Sequence, residues 1–498
     1  MNVNPITRLD YPDLDVIRVE DTYYMVSTTM HFMPGCEILQ SFDLVHWEHV
    51  TYVYETLDHT DAQQLKSGQN IYGQGMWAAS LRYHEGRFYI CFVANDTRKT
   101  YLYTSEKIDG PWKKQLIEGF YHDGSLLFDE DGRNYIVYGN DEIWITELNE
   151  DLTAPKKGGL HRLLVSDHKN PELGYEGSHI QKINGYYYIF LVHSLRDRWM
   201  RTEACFYSDS LEGEFTGGDV LCDDRGYCGQ GVAQGGIVDT PDGKWYAMLF
   251  QDSGAVGRIP ILLPVTWKDH FPFFGQNGHV PEEIEVHSTR PGYIYQPLVG
   301  SDDFCNGLLP RWQFNHDPDP RYYHLDALQG TYTITTREVC TELTQAVNTL
   351  TQRMSYPSCA AEVTVDASAL KEGDVAGLCA LQSCYAAVGI TKHHGKYEVL
   401  MLDKKEDGIL DMTEGTVVES HQMDFRLEAD FCNMKDEARC YYRVNKGDWL
   451  PIGTVHKLYF KLDHFTGCRF GLFCYAAEET GGSACFRDFK YYDVDEIS

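Results

Sequence analysis

The chain has 498 residues, of which 43% are hydrophobic and 13% aromatic, and its formal net charge is −31. That length predicts two domains, while the aromatic content, including 34 tyrosines, favours β structure and excludes a disordered chain. The negative charge argues against nucleic acid or an anionic membrane as a partner.

A short phrase recurs five times in the first 300 residues: a turn residue, then aromatic residues, then an apolar run. It reads DTYYMVST from residue 21, GRFYICFV from 86, GRNYIVYG from 132, GYYYIFLV from 185 and GKWYAMLF from 243. The spacings of 65, 46, 53 and 58 residues suit a repeated unit of about four strands. We therefore predict a five-bladed β-propeller over residues 1–297, with ordinary hairpins in a sandwich as the alternative.

The repeat stops near Pro297, and short alternating strands such as TYTITT and CAAEVTVDA follow. Such alternation predicts that residues 298–498 form an antiparallel β-sandwich, so that both domains are all-β. Asp303 and Asp488 offer carboxylates for a structural Ca²⁺ in this domain. Solvation of the surface is the preferred interpretation of both residues.

Three acidic residues precede repeated phrases by similar distances. Asp13 lies 8 residues before the first phrase, and Asp123 and Glu176 each lie 9 residues before theirs. Equivalent positions in successive blades face one central axis, so we expect the three carboxyl groups to meet there. Bringing like charges into one pocket is costly and suggests function, since an acid and a base of this kind can cleave a glycosidic bond. For each residue alone, capping a turn is the simpler interpretation.

Ordered motifs along nearly the whole chain resemble glycoside hydrolase family 43, the β-xylosidases and α-L-arabinofuranosidases. They are NPITRLDYPDLDVIRVEDTYYMVST, GMWAASLRYHEGRFY, DGSLLFDEDGRNY, YEGSHIQKINGYYY and GGIVDTPDGKWYAMLF. NTLTQRMSYPS and GDVAGLCALQ resemble the sandwich often attached to these xylosidases. The resemblance implies a five-bladed propeller followed by a concanavalin-like β-sandwich.

The resemblance also implies roles for the three acids in an inverting reaction. Asp13 matches the general base, Glu176 the general acid, and Asp123 the residue that orients the acid and tunes its pKa. Leu14 and Asp15 follow the base where the family usually has proline and serine. Asp15 would share a strand face with Asp13 and place an extra charge beside it, although a turn cap is the simpler interpretation.

Other residues are assigned to the sugar site by the same resemblance. Trp77 and Arg258 match positions that typically line it, and Phe32 is assigned there with them. For Trp77, burial in a core is the alternative. Gln234 stands where many relatives have a histidine associated with a metal or water, so we assign it to substrate binding and expect no required metal or cofactor.

The sequence thus predicts an inverting, exo-acting hydrolase that releases xylose from β-1,4-xylo-oligosaccharides, with α-L-arabinofuranosidase activity as an open addition. A carbohydrate-binding propeller without catalysis is the alternative, and the presence of all three acids argues against it. We expect an oligosaccharide partner and no nucleic acid or membrane, and homo-oligomerisation stays open. No leader-like or long apolar segment is found, and the 15 scattered cysteines indicate reduced thiols, which predicts a cytoplasmic protein.

Overall fold

A computed structural model describes residues 2–493, which are almost entirely β-strands, turns and loops. The strands of the first part, in chain order, are β1 (Asn2–Val3), β2 (Asp15–Val19), β3 (Thr22–Ser27), β4 (Phe32–Met33), β5 (Gly35–Ser41), β6 (Glu48–Tyr54), β7 (Met76–His84), β8 (Arg87–Ala94), β9 (Lys99–Ser105), β10 (Lys113–Ile117), β11 (Ser125–Phe128), β12 (Asn134–Asn140), β13 (Glu142–Leu148), β14 (His161–Ser166), β15 (Glu176–Ile183), β16 (Tyr186–Ser194), β17 (Arg201–Ser208), β18 (Thr216–Leu221), β19 (Val232–Asp239), β20 (Trp245–Asp252), β21 (Arg258–Lys268), β22 (Phe271–Phe274) and β23 (Glu283–Ile284).

Five antiparallel sheets of four strands each form the blades of a propeller. Their strand orders are β2-β3-β5-β6, β7-β8-β9-β10, β11-β12-β13-β14, β15-β16-β17-β18 and β19-β20-β21-β22. The repeated phrases form the second strand of each blade, namely β3, β8, β12, β16 and β20. These strands are buried on both faces, which explains their nearly continuous apolar sequences. The predicted five-bladed propeller is confirmed.

Apolar clusters fill the spaces between adjacent blades and hold the ring together. Between the first two blades, for example, Ile38 and Ile90 are fully buried in one cluster. The ring closes where Met25 of the first blade and Met248 of the last meet Tyr11 of the leading segment. Pairing of β1 with β23 adds a short two-stranded sheet at the same junction. The leading segment therefore helps to seal the ring.

The remaining strands build two larger antiparallel sheets. They are β24 (Gln313–Asn315), β25 (Tyr323–Asp326), β26 (Thr331–Thr335), β27 (Leu350–Arg353), β28 (Ser358–Asp366), β29 (Asp374–Leu381), β30 (Ala386–His393), β31 (Lys396–Lys404), β32 (Leu410–Met412), β33 (Thr416–Val418), β34 (Gln422–Asp430), β35 (Glu437–Val444), β36 (Leu450–Lys457), β37 (Arg469–Ala476) and β38 (Ser483–Asp493).

One sheet has the order β32-β31-β30-β29-β37-β27-β24-β4, with β33 also on β31, and the other has the order β25-β26-β38-β28-β34-β35-β36. Inward side chains of both sheets, such as Val388, Phe425 and Phe486, share one core in which each is fully buried. This arrangement confirms the predicted β-sandwich.

The propeller and the sandwich interlock. Strand β4 lies in a loop of the first blade, yet it pairs with β24 and so extends a sheet of the sandwich. Ala255 and Val256 of the last blade are fully buried in the sandwich core. Among the described residues, no strand lies between β23 and β24. The predicted domain change at residue 297 falls in this connecting segment and stays a prediction.

The helical elements of the described part are four 3₁₀ turns: Lys66–Gly68, Gly254–Val256, Leu343–Gln345 and Cys432–Met434. Across residues 2–493 there is no helix with the length and apolar character needed to cross a membrane. All 15 cysteines are free thiols.

Candidate active site

The three predicted acids lie at the same end of the propeller, where the first strand of a blade begins. Asp13 and Asp123 each stand two residues before such a strand, and Glu176 is the first residue of β15. Asp13 and Asp123 have φ values of 51° and 48°, and Gly177, directly after Glu176, has a φ of 66°. A left-handed backbone is uncommon for residues other than glycine, although aspartate adopts it more readily than most. Asp13 and Asp123 line one small cavity near the axis.

Asp13 is a buried carboxylate with both oxygens held in place. The Thr28 hydroxyl donates a hydrogen bond to Oδ2 at 2.7 Å, and Nη1 of Arg258 donates to Oδ1 at 3.0 Å. Arg258 is 1% exposed and Asp13 is 8% exposed, so the ion pair is largely shielded from water. A carboxylate fixed in this way is suited to accept a proton from a single bound water.

Glu176 is half-buried and is held through one of its two oxygens. Nδ2 of Asn140 donates to Oε2 at 2.7 Å, and Nε2 of His122 lies 3.4 Å from the same oxygen. Oε1 makes no hydrogen bond to any residue within 2–493. A proton on Oε1 would therefore be available to a glycosidic oxygen, as a general acid requires.

Asp123 lies near both of the other acids and is accompanied by a histidine that sequence analysis missed. The backbone N–H of Gly177 donates to Oδ2 of Asp123 at 3.0 Å, and Nε2 of His122 is 3.6 Å from that oxygen. Burial raises the pKa of Asp123 to about 6; the His122 cation opposes this rise, and the charges of Glu176 and Asp13 add to it.

The Asp123 carboxylate raises the pKa of His122 to about 9 against the effect of burial, with a further contribution from Glu176. The imidazole is thus cationic at neutral pH and offsets the repulsion among the three acids. Its place in YHDGS, next to Asp123, was the available signal.

Arg258 and Trp77 contact a residue of the sandwich at this site. Nη2 of Arg258 donates to the carbonyl oxygen of Phe465 at 3.3 Å, and its guanidinium carbon is 4.1 Å from the centre of the Phe465 ring. The Trp77 ring centre is 5.4 Å from that of Phe465, and its indole N–H is buried without a partner among the described residues. No local pattern pointed to Phe465, because its partners lie about 200 or more residues away in the chain.

Asp15 lies deeper in the propeller than Asp13 and does not cap a turn. Its Oδ2 accepts hydrogen bonds from the Leu81 N–H at 2.8 Å and from Nη1 of Arg82 at 2.7 Å, and Nδ1 of His179 is 3.1 Å from Oδ1. Burial alone would raise the pKa of Asp15, but Arg82 and His179 lower it to about 2. Asp15 is therefore a buried anion that joins three blades, because strand pairing directs it away from solvent.

Gln234 lines the same small cavity as Asp13 and Asp123. Its backbone N–H donates to Oε2 of Glu203 at 2.7 Å. Its side chain packs on Gly177 so closely that a Cβ at Gly177 would lie 2.6 Å from Cγ of Gln234. The structure thus brings Gln234 to the centre of the site.

Phe32 lies in the sandwich, so its assignment to the sugar site was wrong. Its side chain is 2% exposed and belongs to a sandwich cluster that includes Leu343 and Phe473. The guanidinium carbon of Arg469 lies 3.4 Å from the ring centre. The physical reason is the pairing of β4 with β24, which carries Phe32 into the sandwich sheet.

The expectation that no metal is required at the propeller centre stays a prediction. Within residues 2–493, the group of three acidic or histidine ligand atoms lying within 4.8 Å of one another is His122, Asp123 and Glu176. These are the catalytic candidates rather than a separate site. Asp303, for which surface solvation was preferred above over a calcium site shared with Asp488, accepts a hydrogen bond from the backbone N–H of Cys305. The choice between these two interpretations stays open.

We expect catalysis to survive chelation, because proton transfer by carboxyl groups needs no Lewis acid. After dialysis against EDTA, kcat/KM for an aryl xyloside is expected to stay within about twofold of the untreated value. Assays with added Ca²⁺ or Mg²⁺ provide the control. A loss in EDTA that calcium reverses would contradict this prediction.

Comparison with known proteins bears on both parts of the chain. Residues 3–272 match the profile of Glycosyl hydrolases family 43, and residues 301–492 match that of the Beta xylosidase C-terminal Concanavalin A-like domain. A beta-xylosidase of Formosa agariphila is 26% identical over 99% of this chain and 89% of its own length. A non-reducing end alpha-L-arabinofuranosidase of Bacteroides ovatus is 24% identical over 82% of this chain and 79% of its own.

Among solved structures, a bifunctional GH43-CE protein of Bacteroides eggerthii superposes with a TM-score of 0.92 at 42% identity. The match covers 99% of this chain and 64% of that protein, so this chain spans less than two thirds of its length.

Proposed function

The chain belongs to glycosyl hydrolases family 43, and on that premise we propose that it releases xylose from the ends of β-1,4-xylo-oligosaccharides with inversion at the anomeric carbon. The observation that carries this proposal is the convergence of two differently held carboxyl groups. Asp13 is fixed by Arg258 and Thr28, whereas Glu176 is held through one oxygen at the rim. The charges of both act on Asp123.

In the proposed reaction, Glu176 donates its proton to the glycosidic oxygen while Asp13 removes a proton from a water on the opposite face of the sugar. An inverting site of this kind needs the two carboxyl groups about 6.5–9.5 Å apart, which leaves room for that water. Asp123 and the His122 cation form a pair of opposite charges beside Glu176. This pair keeps the surrounding charge balanced while Glu176 changes its protonation state.

The substrate class is supported by the named relatives and by the covering of the site. A β-xylosidase and the β-xylosidase C-terminal domain both match this chain. Phe465 of the sandwich packs against Arg258 and Trp77, which favours binding of a chain end over binding of a mid-chain segment.

α-L-Arabinofuranosidase activity is a second candidate. The match to the Bacteroides ovatus arabinofuranosidase favours it, and the two sugars present similar stereochemistry to one pocket. We further propose that the enzyme acts in the cytoplasm without a required cofactor, and its 15 free thiols support a reducing compartment.

A panel of p-nitrophenyl glycosides, xylobiose, xylotriose and arabino-oligosaccharides tests the proposal. We expect release of xylose from the β-xylosides, with ¹H NMR showing the α-anomer as the first product, because one displacement inverts the β-linkage. First formation of β-xylose would indicate retention and would contradict the role given to Asp13. Binding of xylobiose without turnover would instead favour the non-catalytic carbohydrate-binding propeller.

A further inference from the structure

Arg201 is a nearly buried arginine close to the catalytic carboxyl groups that the mechanism above does not use. It is 6% exposed and begins β17, directly opposite Ser194 at the end of β16. Two residues later on the same strand face, Glu203 pairs with Val192, and Val192 pairs with Glu176. Arg201 thus lies at the rim end of the blade that carries the general acid.

The guanidinium of Arg201 has only one of its nitrogens paired. Nε donates to Oδ2 of Asp252 at 2.8 Å, whereas neither terminal nitrogen bonds to any residue within 2–493. The terminal nitrogens are not among the fully buried unpaired atoms of the described residues, so they reach the surface and can donate to water or to a ligand. These N–H groups are directional donors suited to hydroxyl oxygens.

Several contacts place Arg201 beside the catalytic centre. Asp252, its partner, lies opposite Arg258 in the last blade, and Arg258 holds Asp13. The guanidinium carbons of Arg201 and Arg258 lie 5.3 and 5.5 Å from the centre of the same Phe250 ring. Burial would lower the pKa of Arg201, but the carboxylates of Asp252, Glu176 and Asp13 raise it overall.

Trp199 stands next to this arginine as an exposed aromatic surface. It is 42% exposed, and the Arg201 guanidinium carbon lies 5.3 Å from its ring centre. The loop that carries it is fixed, since the Met200 N–H donates to the Ser194 hydroxyl at 2.8 Å and Arg196 donates to the Asp167 carbonyl at 2.6 Å. A rigid indole with one apolar face in water is suited to pack on the C–H face of a sugar ring.

We propose that Arg201 and Trp199 form the binding site for the leaving sugar, the unit that departs when the glycosidic bond is cleaved; this inference rests on the proposed function. In an inverting displacement the leaving group exits on the side of the general acid, opposite the base. Both residues belong to the blade of Glu176, on the loop and strand that follow its partner strand β16. Trp199 stacks on the ring, and Arg201 donates hydrogen bonds to its hydroxyls.

The charges favour a neutral sugar over an anionic group at this site. Arg201 is already paired with Asp252 and faces the carboxyl groups of Glu176 and Asp13. A negatively charged leaving group would meet these carboxylates, whereas hydroxyl groups would accept from the terminal guanidinium nitrogens without adding charge. The expected ligand is therefore a neutral pentose unit of an oligosaccharide.

The test compares substrates with and without a leaving sugar in the full chain. For Trp199→Ala we expect KM for xylobiose and xylotriose to rise about 3- to 30-fold with kcat little changed, since ground-state binding is lost. For β-D-xylosyl fluoride, whose leaving group is a single atom, kcat/KM is expected to stay within about twofold. Trp199→Phe keeps an aromatic face, so its KM for xylobiose is expected to lie close to that of the wild type.

Arg201→Lys adds a second measurement, because it keeps a positive charge beside Asp252 but loses the planar set of donors. As for Trp199→Ala, this variant is expected to raise KM for xylobiose and to leave kcat/KM for the fluoride within about twofold. Phe273→Ala is the matched control: Phe273 is also half-exposed at 50%, but it lies on the outer strand β22. All its kinetic constants are expected to equal those of the wild type.

The outcomes separate this inference from the function on which it rests. Suppose that the wild type is active. If Trp199→Ala then lowers kcat/KM equally for the fluoride and for xylobiose, or does not lower it for xylobiose, the leaving-sugar site alone is overturned. A wild type that cleaves neither substrate overturns the proposed function, and the site with it. A loss confined to the oligosaccharides supports both.

Discussion

Replacing Glu176 by alanine is expected to lower kcat/KM for xylobiose about 10²–10⁴-fold, because the leaving sugar then departs without a proton donor. An aryl xyloside should lose much less, since a nitrophenolate leaves with little protonic help. Glu176 is only half-buried, its partner Asn140 lies at the exposed rim, and His122 keeps Asp123 at 3.6 Å as an anionic partner, so we expect the alanine variant to fold. The difference between the two substrates is thus a chemical effect and not one of folding.

The measurement is kcat/KM for xylobiose and for p-nitrophenyl β-D-xyloside in the variant and the wild type. Glu172→Ala provides the control, since Glu172 is an exposed carboxylate four residues earlier in the same loop. It is expected to leave both values unchanged. Equal losses on both substrates in Glu176→Ala would remove the case for Glu176 as the general acid.

The second large effect is expected for Asp13→Asn, which removes activation of the attacking water. Both substrate types should lose about 10²–10⁴-fold in kcat/KM to a similar degree, because water attack is needed whichever group leaves. Asparagine is chosen over alanine because Arg258 is 1% exposed. Both substitutions remove the charge that pairs with this buried guanidinium, at a cost of about 3–5 kcal/mol. Asparagine keeps a carbonyl oxygen that can accept from Arg258, whereas alanine would leave no acceptor at residue 13.

Asp21→Asn is the matched control, since Asp21 lies in the same blade and pairs with Arg290 at the surface. Its kinetics are expected to match those of the wild type. A thermal melt of each variant checks folding. If Asp13→Asn kept most of its activity on both substrates, another residue would have to act as the base.

The fold was predictable because each blade has a local sequence pattern that does not depend on distant residues. Each blade repeats a turn followed by a strand buried on both faces, and GRNYIVYG and GYYYIFLV show this pattern without any knowledge of their partners. The strand β4 was not predictable in this way. Two residues, Phe32 and Met33, carry no pattern that distinguishes pairing within a blade from pairing with Phe314 and Asn315 in another domain.

The residues of the candidate site likewise differ in whether a local sequence pattern identifies them. Asp13, Asp123 and Glu176 stand in register with the repeated phrases, so their meeting at one axis followed from the spacing and the family resemblance. Phe465 reaches the site from a loop of the sandwich, and its contact with Arg258 joins residues about 200 positions apart. No periodicity encodes such a contact, because it depends on how two folded halves dock.

The role of Asp15 also needed the structure. As a sequence feature it was an extra charge beside the base, yet its partners Arg82 and His179 come from two other blades. Those contacts turn it into a buried structural anion. Whether the charge of Asp15 is compensated could be inferred only once these partners were known.

Asp10 ties the two halves of the protein at one atom group. One of its carboxylate oxygens accepts the backbone N–H of Arg258, and the other accepts that of Gly467, each at 2.8 Å. The same carboxylate thus positions the strand that supplies Arg258 and the sandwich loop that supplies Phe465. The two halves therefore cannot be exchanged as independent cassettes. A sandwich grafted from another protein would have to bring its own match to Asp10 and to β4, so in this architecture sequence change in one half constrains what the other half can tolerate.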